Sequence, residues 1–416
     1  MLKNNWFLFV VMFVFVCQLT VAQNNTNSPY TLYGYGDISD NYSGEQRAMG
    51  GTAIGARSKT SINTVNPASY SAVDTMTFMF DMGVSVLGSR FSYNNNANTK
   101  INSNLEYITM QFPLWKNSGF SMGVLPYSFT GYNFSTTEKL PANIYPDTVT
   151  ATRLFYGQGG ISQVYTGIAF KLFDHLSLGV NAYYMFGNNQ NSRQLLFDKS
   201  GFQGSYQMDS IKVNSFRFRY GLQYSQLFNK KHDVTIGAFY EMKTKLNADY
   251  SQSTGSVIDT PTPYSSVLST FELPESYGIG INYSYNKQLT IGADYSMQKW
   301  GNTLFMGMAD TLVNKSRLAI GAEYLPNARS RKYTDRVTYR AGFNTSDAYY
   351  KVNGLIQPKN FGITFGLGLP LRNNKSIVNA TFEYGKIGTS TTLREDYMKF
   401  TLNAVINENW FFKRKL

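Results

Sequence analysis

The sequence predicts an all-β protein, a transmembrane antiparallel β-barrel of about 14 strands with an N-terminal plug (hatch) segment. Three observations predict this fold. The chain opens with an export signal, and apolar and polar residues alternate with a period of two from about residue 75 to residue 412. The links between the alternating segments are long and short by turns. Together these features are typical of barrels that cross the outer membrane of Gram-negative bacteria.

The N-terminus has the three-part layout of a cleavable signal peptide. An apolar run from Trp6 to about Leu19 follows a lysine and ends in Thr20-Val21-Ala22. A membrane-spanning anchor needs about 20 apolar residues, which is more than this run supplies. We therefore expect residues 1–22 to be cleaved off as the protein is exported. Cys17, the single cysteine, would be lost with them, which excludes disulfides and cysteine chemistry from the mature chain.

Composition agrees with a barrel and says which partners to expect. Aromatic residues make up 16% of the chain while the mean hydropathy is −0.28, as expected when only alternate residues face lipid. The formal net charge of +12 is compatible with nucleic acid, anionic lipid or a solvated surface. No nucleic-acid-binding motif accompanies this charge. The expected surroundings are therefore outer-membrane lipid and lipopolysaccharide, with no nucleic acid.

Alternation allows the two faces of each strand to be assigned. From Leu289 to Met297 the odd-numbered residues are apolar and the even-numbered ones small or polar, the pattern of a strand with one face in lipid. The number of predicted strands is even, as in bacterial barrels. The strands are predicted near residues 75–90, 104–115, 118–131, 161–172, 175–187, 212–228, 232–246, 271–286, 288–299, 315–326, 334–345, 358–371, 375–387 and 397–412.

The links provide an independent check, because outer-membrane barrels have short periplasmic turns and longer outer loops. Short links are predicted at residues 116–118, 173–174, 229–231, 286–287, 326–333 and 372–374. Long polar links are predicted near residues 91–103, 132–160, 188–211, 247–270, 300–314, 346–357 and 388–396. This order places both ends of the barrel in the periplasm. A soluble β-sandwich would have no reason to keep the alternation of link lengths.

Seven charged residues lie on the small and polar face of their strands and are predicted to line the lumen, because a basic residue facing lipid at the bilayer midplane costs about 2–4 kcal/mol. Two interpretations remain open. The charges pair across a filled interior, or they form a polar lining for a ligand or water. The residues are Arg217, Arg219, Glu241, Asp294, Glu323, Arg340 and Glu383.

Short motifs resemble the outer-membrane long-chain fatty-acid transporter family, whose members pass hydrophobic compounds. Arg47-Ala48-Met49-Gly50-Gly51-Thr52-Ala53-Ile54 and Asn66-Pro67-Ala68 are similar to its hatch, and residues 273–277 and 316–344 are similar to its late strands. The resemblance implies a hatch over about residues 23–74 ahead of a barrel at 75–412. It also implies a gate that involves Gly50, Gly51, Asn66, Pro67 and Ala68.

The chain departs from that family in two places. Its outer loops, such as residues 188–209 and 247–264, are polar and lack the apolar segments that collect a hydrophobic ligand. Residues 413–416 form a basic tail after Trp410-Phe411-Phe412, whereas barrels usually end on an aromatic residue. This tail is either a periplasmic extension or a contact for a partner.

Catalysis is not expected. The two histidines, His175 and His232, both fall at predicted periplasmic turns, so a serine–histidine pair on the outer side is not expected. Glu241, Asp294 and Glu323 lie on nearby strands and could act as acid and base, but a pore or packing role explains them without a further assumption. Neither a phosphate-binding glycine loop nor a metal-ligand cluster occurs in the sequence. We expect no enzyme activity, no cofactor and no metal.

Two functions are consistent with the sequence. The first is an outer-membrane channel for passive uptake of small hydrophobic, fatty-acid-like compounds. In that case Arg217, Arg219 and Arg340 are candidate partners of an anionic head group. The alternative is a structural or accessory barrel subunit that binds the partners of an outer-membrane secretion or protein-assembly complex.

Overall fold

The computed structural model describes residues 26–93, 96–141, 149–257, 262, 264–352, 354–357, 359–372, 375–389 and 393–409. The predicted signal peptide, Cys17 and the basic tail lie outside these ranges. No helix among the described residues is long and apolar enough to cross a membrane.

Fourteen antiparallel strands close into a barrel, as predicted. Each strand pairs with its neighbours in sequence, and the ladder from Thr77–Asn409 to Ser92–Arg394 joins the first strand to the last. The strands are β1 (Thr77–Tyr93), β2 (Asn96–Phe112), β3 (Ser118–Lys139), β4 (Thr150–Leu172), β5 (Leu176–Phe197), β6 (Ser205–Phe228), β7 (His232–Glu241), β8 (Ser276–Tyr285), β9 (Leu289–Gln298), β10 (Lys315–Tyr324), β11 (Thr338–Ser346), β12 (Asn360–Pro370), β13 (Ile377–Ile387) and β14 (Arg394–Asn409).

Alternation assigns the two faces correctly on the strands that have no bulge. On β8, for example, Ile279 and Ile281 are about half exposed on the outer face, whereas Gly278 and Gly280 face the interior, where a Cβ would meet Ile54. The outer surface is therefore the apolar one, as a barrel in lipid requires.

The short turns have the backbone that their residues favour. Asn229 and Lys230 both have positive φ, as do Asn286 and Lys287. Two successive left-handed residues match the twist of a two-residue hairpin turn, and asparagine tolerates that conformation well. The link predicted at 326–333 is longer than expected and includes a 3-10 helix (Tyr333–Arg336).

The outer ends of several strands differ from prediction. Residues 91–103, 132–160 and 188–211 were expected to be loops, but most of them continue β1 to β6 outward. Most side chains of these extensions are polar, with a few aromatic pairs such as Phe134–Phe155 among them, so period-two alternation is absent from their sequence. Conversely, β7 ends at Glu241 and β8 begins at Ser276, because Thr244–Lys245 pairs with Glu272–Leu273 in a separate sheet.

The outer rim carries further short strands. Ala248–Ser256 pairs with the outer part of β6 and, at its own edge, with Ser265–Ser266. Lys351–Val352 and Leu355–Ile356 form a small hairpin in the loop between β11 and β12.

Residues 26–74 precede β1 and lie inside the barrel. They contain a 3-10 helix (Pro29–Leu32), a short strand (Asp37–Ile38), the helix α1 (Gly44–Ala48) and a second 3-10 helix (Pro67–Ala72). Oε1 of Gln46 accepts a hydrogen bond from the amide of Ser43 over 3.1 Å at the start of α1, which is one of the two hydrogen bonds of a capping box. We call residues 26–74 the hatch segment.

Candidate functional site

The hatch segment descends through the lumen from the outer rim to the periplasmic turns. At the outer end, the hydroxyl of Tyr30 donates a hydrogen bond to the carbonyl of Leu393. At the periplasmic end, Tyr70 lies against Gly119, next to the turn between β2 and β3. The candidate site is therefore the contact between this segment and the barrel wall.

The predicted glycines of the gate lie where the hatch backbone meets the wall. Gly50 and Gly51 have φ of +70° and +84°, a conformation that favours glycine. The amide of Gly50 donates to Oγ1 of Thr364 over 2.9 Å. A Cβ at wall residue Gly342 would lie 2.1 Å from the nitrogen of Gly50, and one at Gly321 would lie 2.2 Å from the carbonyl oxygen of Met49. Hatch and wall are thus in direct backbone contact.

The C-terminal part of the hatch segment is held in place at Asn66, Pro67 and Ala68. The side chain of Asn66 accepts a hydrogen bond from the amide of Ala68 (3.2 Å) and caps the second 3-10 helix. Its Nδ2 donates to the carbonyl of Ile54 over 2.8 Å and to that of Leu222 in the wall over 3.1 Å. Proline suits the first position of the helix because that amide would have no partner there.

The seven predicted charges all lie in the lumen, and six of them belong to three clusters. In the first, Nη1 of Arg217 and Nε of Arg219 lie 2.5 Å and 2.7 Å from Oε1 of Glu241. Arg219 also donates to the carbonyl of Val65 in the hatch over 3.1 Å. The Arg217 guanidinium lies 4.2 Å from the ring centre of Tyr183, within the range of a cation–π contact.

The second cluster is centred on Asp294 of β9. Its Oδ2 accepts hydrogen bonds from the amides of Ala53 (2.5 Å) and Ile54 (2.7 Å) in the hatch. A charged acceptor makes stronger hydrogen bonds than a neutral one, so this carboxylate holds the hatch directly.

The third cluster lies on β10 to β13. Nε of Arg340 lies 2.6 Å from Glu323, its Nη1 donates to Asn379 over 2.7 Å, and Glu45 of α1 lies 4.0 Å away. Glu383 is apart from these groups and accepts a hydrogen bond from the hydroxyl of Tyr397 over 3.0 Å.

The sequence reasoning missed two further contacts between hatch and wall. Arg47 of α1 lies 2.8 Å from Glu106 of β2, which also binds Nζ of Lys399 over 2.6 Å. Arg317 of β10 donates to the carbonyl of Gly50 over 2.7 Å.

Alternation would have found one of these contacts but not the other. Arg317 shares a face with Gly321 and Glu323, so its inward direction was readable. The inward direction of the Glu106 side chain could not be predicted, because the register shift at Gly83–Val84 makes Glu106 a bulge residue. As a result, Glu106 and Tyr107 both turn inward. A bulge reverses the alternation after it.

An aromatic cluster covers the outer end of the lumen. The ring of Tyr35 lies 5.1 Å from that of Phe305, and Trp300 lies 4.9 Å from Tyr349. The amide of Tyr35 donates to the hydroxyl of Tyr349 over 3.0 Å. The outer links are polar in sequence, but Trp300, Phe305 and Tyr349 turn inward and pack around Tyr35 of the hatch segment.

The barrel wall is open between β2 and β3 in its outer half. The ladder between these strands has five residue pairs, from Phe112–Phe120 to Ile108–Val124. By contrast, β3 pairs with β4 along its full length. The hatch strand Asp37–Ile38 pairs with Phe129 and Ser128 of β3 from the lumen side and partly fills the opening.

A cavity of about 190 Å³ lies beside this opening. Ala348 and Tyr350 contribute apolar surface, but much of the lining is charged. The charged lining residues are Asp37, Asp40, Arg47, Lys315, Asp347, Glu383, Glu395 and Lys399. The cavity is therefore suited to water or a polar group more than to a hydrocarbon.

The two histidines lie at short turns between strands, as predicted. Nδ1 of His175 is 3.1 Å from the carbonyl of Ser225, and Nδ1 of His232 is 2.8 Å from the hydroxyl of Tyr283. Within the described ranges, no group of three or more histidine, cysteine, aspartate or glutamate residues is arranged to hold a metal ion.

Comparison with known proteins finds one family and several similar structures. The model of the family described as BamG matches residues 1–416, and no curated protein matches in sequence. The toluene transporter TbuX of Ralstonia pickettii has a TM-score of 0.59 and 19% identity, over 88% of this chain and 97% of that one.

Two other solved structures are similar to this chain to about the same extent as TbuX. The toluene transporter TodX of Pseudomonas putida has a TM-score of 0.57 and 14% identity, over 90% and 99% of the two chains. A FadL homologue of Pseudomonas aeruginosa has a TM-score of 0.58 and 13% identity, over 88% and 98%. The expected likeness to hydrophobic-compound channels is thus confirmed for the fold.

Proposed function

Since this chain belongs to the BamG family and shares its fold with channels that are under 25% identical to it, we propose its function from its own geometry. We propose that it is a closed barrel that acts as an accessory subunit of an outer-membrane secretion or protein-assembly complex. Fold alone does not decide function, so the proposal depends on the lumen.

The observation that carries this proposal is the attachment of the hatch segment around the circumference of the barrel. Side chains of five strands hold it: Glu106 of β2, Arg219 of β6, Asp294 of β9, Arg317 of β10 and Arg340 of β11. Leaving one buried charge without its partner costs about 3–5 kcal/mol. Displacing the hatch would leave Arg47 without Glu106. It would at the same time break the hydrogen bonds that Arg219, Asp294 and Arg317 make to the hatch backbone, which favours a barrel that stays closed.

The lumen arginines support the same proposal. Arg217 and Arg219 share Glu241, and Arg340 binds Glu323. A fatty-acid carboxylate would have to compete with these short ion pairs. The charges therefore fit a structural role better than the binding of an anionic head group.

A disulfide between hatch and wall tests whether the barrel works closed. A Cβ at Gly292 would lie 3.2 Å from Cβ of Thr52, near the separation of about 3.5–4.5 Å in disulfides. We expect the oxidised Thr52→Cys/Gly292→Cys protein to co-purify with the same proteins, in the same yield, as wild type. Each single variant serves as a control. Loss of partners on oxidation, or a wild-type barrel that purifies without stoichiometric protein partners, would contradict the proposal.

A second candidate function is passive uptake of small hydrophobic compounds, and the opening between β2 and β3 favours it. A compound in the cavity beside Phe129 would have a lateral route toward the bilayer. The test is equilibrium binding of radiolabelled toluene and oleate to the purified barrel. Binding that Ala348→Trp abolishes by filling the cavity would favour uptake, because Ala348 lines that cavity. Absence of binding would contradict uptake, and the subunit role would be the remaining proposal.

A further inference from the structure

The strand β3 continues outward far beyond the point where β2 leaves it. Its ladder with β4 runs from Ser118–Phe170 to Lys139–Thr150, whereas its ladder with β2 ends at Ile108–Val124. A transmembrane strand needs about 9–11 residues, which takes β3 from Ser118 to about Ser128. The remaining residues extend about 35 Å along the strand beyond the lipid, at about 3.3 Å per residue.

The lower part of this edge already accepts a strand. Asp37 and Ile38 pair with Phe129 and Ser128, and the amide of Ser39 donates to the carbonyl of Tyr127 over 2.9 Å. Just above, the amide of Gly131 donates to Oγ1 of Thr31 over 3.1 Å. The backbone groups of residues 127, 129 and 131 therefore face the opening.

By alternation, the backbone groups of Asn133, Ser135, Thr137 and Lys139 face the same way. Within the part of the chain that the structure describes, no strand pairs with them on this side. They present four amides and four carbonyls in a row. Such an edge is a template for another strand unless proline, charge or a bulge blocks it.

Little blocks this edge. The stretch from Asn133 to Thr137 contains no proline and no charged residue. Charge is confined to the tip, where Glu138 pairs with Arg153 over 3.0 Å. The side chains of Asn133, Ser135 and Thr137 are exposed and polar, so a strand with polar side chains fits beside them.

We propose that the partner contributes an extended polar segment that adds to the outer edge of β3, an inference that rests on the proposed function. It pairs antiparallel to residues 133–139, in line with the hatch strand Asp37–Ile38. The backbone groups select a peptide over a lipid, because a hydrocarbon chain offers them no hydrogen bonds. In strand addition, main-chain hydrogen bonds supply affinity and alternate side chains supply specificity.

Ser135→Pro tests this proposal with Ser135→Ala as its matched control. Proline removes an amide that faces the opening and leaves the ladder with β4 intact, because that amide does not point toward β4. After tagging and gentle extraction, we expect Ser135→Pro to lower the yield of the co-purifying partner at least tenfold. Ser135→Ala keeps the amide and should stay within twofold of wild type. Heat-modifiable gel migration checks that both barrels are folded.

A cross-link tests the same edge without altering its hydrogen bonds. Ser135→Cys carries a thiol on the outward side of β3, and Asn214→Cys carries one on the outward side of β6, which has neighbours on both edges. A short thiol-to-amine reagent should join the partner to the first variant at least tenfold more than to the second.

The outcomes separate this proposal from the proposed function. A partner retained at wild-type yield by folded Ser135→Pro overturns strand addition and leaves the subunit role in place. Cross-links between two copies of this chain would overturn the proposal that the added strand comes from a different protein. Wild-type barrels without any protein partner overturn both.

Discussion

At the scale of the residue, charged side chains in the lumen bind the hatch segment to the barrel wall. Arg47 of the hatch binds Glu106 of the wall, and Asp294 of the wall binds the amides of Ala53 and Ile54. Buried ion pairs add little net stability, but removal of one partner is costly. Such pairs therefore determine where the hatch lies more than how stable the barrel is.

Substitution of Glu106 by Gln should destabilise the barrel. Arg47 would be left buried, and Lys399 partly buried, without their shared counter-charge, at a cost of about 3–5 kcal/mol in the free energy of unfolding. The measurement is urea unfolding in detergent micelles. Glu138→Gln removes the partner of Arg153 in an exposed pair and should cost about 0–1 kcal/mol. Equal losses in the two variants would contradict this account.

Alanine at Gly342 should displace the hatch. Its Cβ would lie 2.1 Å from the nitrogen of Gly50, a backbone atom that cannot rotate away, and overpacking of this kind costs about 1–3 kcal/mol. We expect a lower thermal midpoint and faster tryptic cleavage after Arg57. Gly88→Ala is the matched control on the wall, because its nearest contact is Met398 O at 3.9 Å. Unchanged proteolysis of the Gly342→Ala protein would show that the hatch tolerates a shift.

At the scale of the element, the strands on one side of the barrel are much longer than those on the other. The strands β3 to β6 have 22 to 24 residues, whereas β7 to β10 have 10 each. One side of the barrel therefore rises as a sheet outside the membrane, and the β2–β3 opening interrupts the rim beside it. A tall polar sheet with an unpaired edge is unnecessary for passive diffusion and suits contact with another protein.

Shortening the β3–β4 hairpin should leave the barrel folded. Thr137 pairs with Thr152, so deletion of residues 137–152 joins adjacent positions of the two strands well above the lipid. We expect heat-modifiable migration as in wild type, together with loss of the partner. Deletion of residues 195–205 at the tip of β5–β6, where Leu195 pairs with Ser205, should keep the partner. A shortened β3–β4 barrel that does not fold would show that the outer sheet nucleates assembly.

At the scale of the whole molecule, the protein is a barrel filled by its own N-terminal segment. Contacts at the outer rim (Tyr30), in the middle (Arg47 and Asp294) and near the periplasmic turns (Asn66 and Tyr70) hold that segment along its length. A filled barrel resists opening as a unit, because the contacts at the three levels must break together.

Wild-type protein in planar lipid bilayers should not conduct ions, and removal of the hatch should open it. We expect a variant that lacks residues 26–74 to conduct, because a 14-strand barrel without its plug leaves an aqueous lumen. Single-channel recording in symmetric KCl is the measurement, and Gly88→Ala is the control for handling. Equal conductance of wild-type and hatchless protein would show that the lumen is open beside the hatch.

The sequence by itself determined the number of strands, the two faces of β7 to β14 and seven of the inward charges. Alternation within β8 to β14 needs only neighbouring residues to be read, because a strand in lipid has one apolar face along its whole length. The tight turns could also be predicted from neighbouring residues alone, since Asn229 and Asn286 tolerate positive φ.

Only the tertiary structure decided which charges meet, where the wall opens and how far the strands rise. The pairing of Arg47 with Glu106 and Lys399 joins residues far apart in the chain, and no local period encodes such a contact. The bulge at Glu106 reverses the faces of β2, and the outer part of β3 is mostly polar without a period of two. Register and closure depend on the whole barrel, whereas alternation depends only on what each face of a strand touches.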